Sequence, residues 1–300
     1  MRILVTGASG QVGHALAKEL GALGSLCLTK RQDLDLSRPH SILPRLEEIK
    51  PDLIINAAAY TAVDKAESEP DIAFAVNGSA VGVLGEWAAR KGAPLIHFST
   101  DYVFDGQASE PYDENHPINP LSVYGKSKAE GEKLLLRAEA DCLIVRTAWV
   151  YSATGKNFLK TIVRLAGERD ELAVVSDQVG TPTSADQIAK FIRHAVSEGR
   201  EALPARFKEA SRLAHFTASG WTSWHGFANA IVVGMTRHDL PVKAMKIRAI
   251  PTSDYPTPAV RPKFSRLSTG RAERVFGFRH EAWEKALDEV LDQLSRGEGR

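Results

Sequence analysis

The chain has 300 residues, enough for about two domains, and its 43% hydrophobic and 25% charged residues are typical of a globular protein. The formal net charge of +1 provides no overall field to attract nucleic acid or an anionic membrane, so we expect neither as a partner. The apolar run around Leu53 is too short to span a bilayer, and no signal peptide precedes the first strand-like run. Cys27 and Cys142 lie in apolar runs, as small core residues do, so we expect a cytoplasmic protein.

A strand, a glycine-rich turn and a helix follow one another at the start of the chain. Residues 3–5 form a continuous apolar run typical of a buried strand, and residues 14–20 have helical spacing. Between them Gly7 would form a tight turn, Gly10 would admit a pyrophosphate and Gly13 would let helix and strand pack closely. The pyrophosphate would bind the N–H groups at the helix start. The predicted cofactor site includes the intervening Ser9, Gln11 and Val12; the alternative is a turn with a structural role only.

The end of the second predicted strand, residues 25–28, indicates which dinucleotide binds. NAD sites usually place a carboxylate there, about 20 residues after the glycines, to bond the ribose 2′-OH. This chain has Lys30 and Arg31 instead, and two cations suit a 2′-phosphate. We therefore predict NADPH as the cofactor, with NADH also possible; the alternative is an exposed basic loop. Asp33 or Asp35 could face the adenine, and Asp35 and Leu36 are included in the predicted site.

Three more segments border the predicted crevice, because ligands bind at the carboxyl ends of parallel strands. Residues 53–59 form an apolar strand that ends in small residues, residues 74–90 form a long helix, and residues 93–98 form another strand. The cofactor-binding candidates in these segments are Asn56, Ala57, Ala58, Ala59, Tyr60, Asn77 and Ser99.

Tyr124 and Lys128 stand one helical turn apart, next to a predicted helix over residues 126–136. An ammonium near a phenol favours the phenolate, so we expect the lysine to lower the tyrosine pKa for general acid–base catalysis. Thr100, at the end of the strand 93–98, is a candidate for bonding a substrate oxygen beside Tyr124. The alternatives are a chance pair on a solvated helix and, for Thr100, a turn that closes the strand.

Predicted strands and helices also alternate in the second half of the chain. Strands are predicted at 142–145, 172–176 and 215–217, and helices at 157–167, 185–198, from 227 and at 283–294. A stiff proline-rich loop occupies 251–262. We predict an α/β fold with a Rossmann-like doubly wound parallel sheet and a smaller α/β substrate-binding domain. Residues 1–147 would form the NAD(P)-binding domain, to which later segments return, and residues 148–300 mainly the substrate domain.

These motifs together resemble the extended short-chain dehydrogenase/reductase superfamily. The resemblance rests on the three spaced glycines, Asn56-Ala57-Ala58, the stretch 99–104, and Tyr124 with Lys128. The stretches 59–67, 146–151, 177–183 and 251–262 narrow it, over residues 1 to about 290, to the dTDP-4-dehydrorhamnose reductase family.

The resemblance implies reduction of the C4 keto group of a dTDP-4-dehydro sugar by NAD(P)H, in the synthesis of dTDP-rhamnose for a cell-surface polysaccharide. Tyr124 would protonate the substrate oxygen, Lys128 would bind the nicotinamide ribose and keep the phenol acidic, and Thr100 would bond the same oxygen. Thr61, Val103 and Trp149 would border the sugar and nicotinamide. The remaining implied substrate-binding residues are Asp101, Phe104, Gln178 and Arg261, the last suited to a diphosphate.

Some relatives pair through a Mg²⁺ held partly by the first helix, but Ala15 stands where the carboxylate would be, so we predict no metal and a monomer or homodimer. Two other functions stay open. One is an NAD-dependent nucleotide-sugar epimerase or dehydratase, although Thr100 is followed by only one carboxylate, Asp101. The other is a non-catalytic regulatory subunit of the methionine adenosyltransferase type, against which the intact Thr100, Tyr124 and Lys128 argue.

Overall fold

The structure, a computed structural model, describes residues 1–298. Its strands are β1 (Arg2–Thr6), β2 (Ser25–Thr29), β3 (Leu53–Asn56), β4 (Leu95–Thr100), β5 (Cys142–Thr147), β6 (Val150–Tyr151), β7 (Glu171–Val175), β8 (Val179–Gly180), β9 (Thr183–Ser184), β10 (Leu213–His215), β11 (Thr222–Ser223) and β12 (Lys246–Ile250). Its helices are α1 (Gln11–Glu19), α2 (Ile42–Ile49), α3 (Val63–Ala66), α4 (Pro70–Phe74), α5 (Ala80–Lys91), α6 (Val123–Arg137), α7 (Phe158–Glu168), α8 (Ala185–Val196), α9 (Leu203–Glu209), α10 (Trp224–Arg237), α11 (Gly270–Phe276) and α12 (Trp283–Ser295).

Six strands form one parallel sheet in the order β10-β5-β4-β3-β1-β2. Successive residues of these apolar strands point to opposite faces, so each face needs a cover of helices. Ile3 and Val5 contribute to a core with residues of α1, α8 and α11, whereas Leu4 joins residues of α2, α5 and α6 on the other face. This arrangement confirms the predicted doubly wound α/β fold.

The strand order reverses between β1 and β3, because the chain moves outward from β1 to β2 and then places β3 on the other side of β1. The carboxyl ends of β1, β3 and β4 meet at this switch point, where open parallel sheets bind their ligands. The turn after β1 and the residues after β3 and β4 therefore share one edge.

The strand predicted at 215–217 lies at Leu213–His215 and pairs with β5 at the edge of the sheet. Helix α8 packs against α1, the helix that follows the glycine turn. Later segments thus return to the sheet that the first 147 residues begin. The proposed division into a cofactor domain and a substrate domain stays a prediction.

A separate apolar cluster lies in the second half of the chain. It joins residues of α7, α10 and α12 around Phe227, Ile231 and Trp283. Strand β12 pairs in parallel with β7 and was not predicted from the sequence. Three of its five residues are exposed, so it lacks the continuous apolar pattern that marks the strands of the main sheet.

The helical segment Pro70–Lys91 runs through α4, a π-helical turn at Ala75–Ser79 and α5. With 22 residues and a mean hydropathy of 1.3, it is long and apolar enough to cross a membrane by length and composition. Its side chains Val81, Leu84 and Trp87 are buried in the core beneath the sheet, which is how a central helix of this fold packs. We interpret it as a core helix.

Candidate active site

The turn after β1 admits only glycine at two positions. Gly7 has φ +65°, and a Cβ there would lie 2.7 Å from the Ala58 backbone. A Cβ on Gly13 would lie 2.2 Å from the Gly7 carbonyl oxygen. Helix α1 begins after Gly10 with no side-chain cap and no acidic residue in its first turn, so its first N–H groups remain available. The turn fits an anionic pyrophosphate.

A crevice of about 500 Å³ opens at this edge of the sheet. Sixteen of the predicted residues line it: Gly7, Ser9, Gly10, Gln11, Val12, Arg31, Asp35, Leu36, Ala57, Ala58, Ala59, Tyr60, Thr61, Ser99, Tyr124 and Lys128. The glycine turn, the second-strand end and the Tyr–Lys pair therefore share one cavity, although about 120 residues separate them in the chain.

The crevice also contains residues that the sequence analysis missed: Leu34, Ile72, Val76, Phe98, Thr147, Val150, Gly155 and Lys156. Gly155 and Lys156 belong to a loop that is fastened to the start of α1, because Ser152 Oγ and Asn157 Nδ2 both donate to Gln11 Oε1, at 3.0 and 2.8 Å. A glycine followed by a lysine after a short strand was the only local signal. Lys156 adds a cation opposite the glycine turn.

Of the two cations after β2, only Arg31 lines the crevice. Its Nε lies 3.5 Å from Asp35 Oδ1, and its side chain is 78% exposed. Lys30 is exposed outside the crevice, and its backbone N–H donates to Asp33. The geometry thus leaves Arg31 as the candidate for a 2′-phosphate.

Asn56 and Asn77 were predicted to bind cofactor, but both lie behind the crevice wall. Asn56 is fully buried and bonds Thr6 and His97. Asn77 is also fully buried, and its amide bonds both the N–H and the carbonyl of Tyr60, at 2.8 and 3.0 Å. These bonds hold the backbone of the wall, and a contact of either asparagine with cofactor stays a prediction. Gly13 also acts on the backbone, since its lack of a Cβ allows α1 to pack closely against the turn at Gly7.

Helix α6 begins at Val123, three residues earlier than predicted, because the Ser122 side chain accepts a hydrogen bond from the Gly125 N–H at 3.2 Å. A Cβ on Gly125 would lie 2.2 Å from the Tyr102 carbonyl oxygen, so the helix start packs directly on the segment after β4. This contact places Tyr124, in the first turn, beside the end of β4.

Burial raises the pKa of Tyr124 to about 12, although the nearby Thr100 side chain acts in the opposite direction. Lys128 is buried too, and burial lowers its pKa to about 8 against the effect of Glu132. Lys128 Nζ donates to the Phe98 carbonyl at 2.6 Å and lies 3.3 Å from His97 Nε2. The predicted lowering of the phenol pKa is therefore wrong for this structure, because burial dominates and the amine is bonded to β4.

Thr100 ends β4 with two contacts of its own. Its hydroxyl donates to Asp101 Oδ1 at 3.0 Å and accepts the Tyr102 N–H at 3.2 Å, so the predicted alternative, a turn that closes the strand, is present. Burial raises the pKa of Asp101 to about 6, while the nearby side chains of Ser265 and Thr100 oppose the shift.

Three predicted substrate residues pack in the interior around the end of β4 and the start of β6. Val103 and Phe104 are fully buried in a small cluster, with Phe104 stacked on Tyr112. Trp149 stacks on Trp224, with ring centroids 3.5 Å apart, and has φ +48°. A bulky side chain rarely adopts that backbone conformation, and such strain is typical of functional sites. Contact of these residues with substrate stays a prediction.

The two remaining candidates bond other loops of the protein. Gln178 Nε2 donates to Thr252 Oγ1 at 3.1 Å. Arg261 makes a two-pronged ion pair with Asp64, at 3.0 and 2.7 Å, and its Nη1 also donates to Thr257. In this arrangement Arg261 holds the proline-rich loop against α3, and its diphosphate role stays a prediction.

Comparison with known proteins agrees with this geometry. The family described as RmlD substrate binding domain matches residues 1–296. A dTDP-4-dehydrorhamnose reductase of Burkholderia thailandensis is 47% identical over 300 residues, which cover 99% of this chain and all of that protein. The chain belongs to the dTDP-4-dehydrorhamnose reductase family. The resemblance predicted from the sequence is thereby confirmed.

Solved structures of the reductase family share the fold. The dTDP-4-dehydrorhamnose reductase of Clostridium acetobutylicum has a TM-score of 0.88 and 38% identity, over 98% of this chain and 99% of that one. The one from Bacillus anthracis, solved in complex with NADP, has a TM-score of 0.84 and 33% identity, over 96% and 98%. Within residues 1–298, no group of three or more His, Cys, Asp or Glu side chains is arranged to hold a metal ion.

Proposed function

We propose that this protein reduces the C4 keto group of dTDP-4-dehydro-β-L-rhamnose with NADPH, giving dTDP-L-rhamnose, and that Tyr124 donates the proton. The observation that carries the proposal is that Tyr124 and Lys128 line one dinucleotide-type crevice together with the glycine turn, at the end of the strand that carries Thr100. Membership of the reductase family and the NADP complex of the Bacillus anthracis relative support it.

Residues of the chain would hold the dinucleotide along the crevice. The glycine turn and the first N–H groups of α1 suit the pyrophosphate, and Arg31 suits a 2′-phosphate. Lys128, which lines the same crevice, would bond the ribose next to the nicotinamide. When bound, the reduced nicotinamide supplies a hydride to the carbonyl carbon of the sugar.

Tyr124 would supply the proton that the carbonyl oxygen needs as the hydride arrives. The pKa raised to about 12 keeps the phenol protonated at neutral pH, which is the state that a reductase requires before turnover. Thr100 would bond the same oxygen and orient it. Lys128, charged below about pH 8, would stabilise the phenolate that remains after proton transfer.

Two alternatives compete with this proposal. A dehydratase of this superfamily is expected to carry a second carboxylate after Thr100-Asp101, where this chain has Tyr102. A non-catalytic subunit would not need Thr100, Tyr124 and Lys128 together. Oxidation of NADPH on addition of the keto-sugar distinguishes an enzyme from such a subunit. The cytoplasmic location and a monomeric or homodimeric state remain part of the proposal.

The test is an assay of the purified protein with NADPH and the enzymatically prepared keto-sugar, followed at the nicotinamide absorbance. We expect one NADPH to be oxidised for each dTDP-L-rhamnose formed. Conversion of the sugar without net NADPH oxidation would favour an epimerase, and the absence of any conversion would favour a binding protein.

A further inference from the structure

A buried histidine lies directly behind the lysine of the site. His97, in the middle of β4, is fully buried, and its Nε2 lies 3.3 Å from Lys128 Nζ. Its Nδ1 lies 3.0 Å from the Asn56 amide, whose other end is 2.6 Å from Thr6 Oγ1. Thr6 Oγ1 also accepts the N–H of Ala58, which lines the crevice. A hydrogen-bonded chain therefore runs from Lys128 through the sheet to the crevice wall.

The imidazole in this chain is neutral, because burial and the charge of Lys128 hold the pKa of His97 well below its ordinary value. A neutral imidazole has one N–H, so one ring nitrogen donates and the other accepts. An ammonium can only donate, so a charged Lys128 requires Nε2 to accept and Nδ1–H to donate to Asn56 Oδ1. The Asn56 amide must then be turned over relative to the structure, in which its Nδ2 faces His97 Nδ1. A neutral amine can accept, so Nε2–H then donates to Nζ and Nδ1 accepts from the Asn56 N–H.

Both arrangements give each His97 ring nitrogen and each end of the Asn56 amide a partner. The Asn56 amide carries a donor and an acceptor on one planar group, and the Thr6 hydroxyl donates or accepts as required. The Phe98 carbonyl accepts from Lys128 Nζ in either state. The geometry thus accommodates both the ammonium and the amine without moving the lysine.

We infer that His97 is a positioning residue for the reaction: it fixes Lys128 Nζ and provides the hydrogen-bond partner that each protonation state of the lysine requires. This inference deepens the proposed function and rests on it. Lys128 supports the phenolate of Tyr124 only while it keeps its charge and its place. His97 touches neither substrate nor cofactor and acts through Lys128.

The groups that face Lys128 come from two elements. His97 approaches from β4, whereas Tyr124 and Glu132 precede and follow the lysine by one turn of α6. Glu132 raises the Lys128 pKa against the lowering by burial, and its carboxylate is itself paired with Arg146 at 2.6 Å. Loss of His97 removes an acceptor for the ammonium, so the pKa of Lys128 would fall further.

The kinetic test compares His97→Leu, which removes the acceptor, with His97→Gln, whose amide can accept or donate. Because only the charged lysine supports the phenolate, we expect wild-type turnover to fall as pH rises and Lys128 loses its proton. We expect His97→Leu to move the pH at which kcat falls about one unit lower. Above that pH, kcat of the variant would be roughly tenfold below that of the wild type. We expect His97→Gln to restore the wild-type profile to within about half a unit.

His280→Gln is the matched control, because its imidazole is nearly buried but lies outside the crevice, where it bonds the Thr217 carbonyl and lies 3.9 Å from Glu273. We expect its pH profile to equal that of the wild type. If His97→Leu and His280→Gln lower kcat equally at all pH values with no shift of the pH at which kcat falls, the role of His97 is packing alone and the inference fails.

A second readout does not depend on turnover. In protein labelled with ¹⁵N-histidine, NMR distinguishes the two tautomers of His97. We expect a neutral ring protonated on Nδ1 near neutral pH and on Nε2 above the pKa of Lys128. A ring that titrates near its ordinary pKa, or one that keeps a single tautomer as Lys128 titrates, overturns the inference. If the assay with keto-sugar fails while the tautomer change is seen, the proposed function fails and the pairing of His97 with Lys128 stands.

Discussion

The cofactor side and the substrate side of this cleft are built in different ways. The glycine turn would bind the cofactor through its own backbone, and Gly7 and Gly13 are needed because neighbouring backbone atoms lie within 3 Å of a Cβ added at either position. On the substrate side, Arg261 and Trp149 are held by partners far away in the chain, Asp64 and Trp224. Local spacing therefore specifies the first region, whereas only the folded chain specifies the second.

The largest effect expected from this comparison is that of Gly13→Ala. The added Cβ would lie 2.2 Å from the Gly7 carbonyl oxygen, so α1 must shift away from the turn. We expect a loss of about 1–3 kcal/mol of stability and NADPH affinity at least tenfold lower (about 1.4 kcal/mol), measured by thermal unfolding and fluorescence titration.

Gly21→Ala is the matched control, because no atom lies within 4 Å of its added Cβ. It should change neither quantity. Equal NADPH affinity in the two glycine variants would show that the turn does not bind the cofactor.

Arg261→Gln tests the substrate side. If the guanidinium binds the diphosphate of the sugar nucleotide, KM for the keto-sugar rises roughly tenfold while NADPH affinity is unchanged. Asp64→Asn should have a smaller effect, because Arg261 remains and is freed from its ion pair. The control is Arg248→Gln, which breaks an exposed ion pair with Glu171. Equal increases in KM for the Arg261 and Asp64 variants would instead indicate that the pair acts only by holding the proline-rich loop.

The smallest effect is expected for Arg31→Gln. The Arg31 side chain is 78% exposed, so its ion pair with a 2′-phosphate is weakened by solvent. We expect NADPH affinity to fall about fivefold, equivalent to ~1 kcal/mol, and NADH affinity to stay constant. Arg38→Gln is the control, because Arg38 lies on the other side of Asp35 and outside the crevice. A parallel loss for NADH would assign Arg31 a role other than discrimination.

Much of the fold follows from patterns that are local in the chain. The apolar runs of β1, β3, β4 and β5 predicted their strands to within a few residues, because strands buried on both faces carry no polar alternation. Strand β12 was missed since it is largely exposed. The return of β10 to the sheet depends on contacts with β5, which the sequence of β10 does not display.

The site was predictable to the extent that a motif carries its own geometry. The spacing of the motifs predicted Gly7, Gly10, Tyr124 and Lys128 as site residues, and all four line one crevice. It did not reveal Lys156, which reaches the crevice through a loop that bonds Gln11. It also gave the wrong direction for the Tyr124 pKa, because the sequence shows the nearby lysine but neither the extent of burial nor the competing bonds of Lys128.

The most direct test of the central claim is the turnover of Tyr124→Phe, with Tyr112→Phe as the control for loss of a phenol hydroxyl that is bonded elsewhere, to Asp105. The account predicts that Tyr124→Phe loses about 10²–10⁴-fold in kcat while NADPH affinity stays at the wild-type value, and that Tyr112→Phe keeps its turnover. Wild-type turnover in Tyr124→Phe would contradict the account.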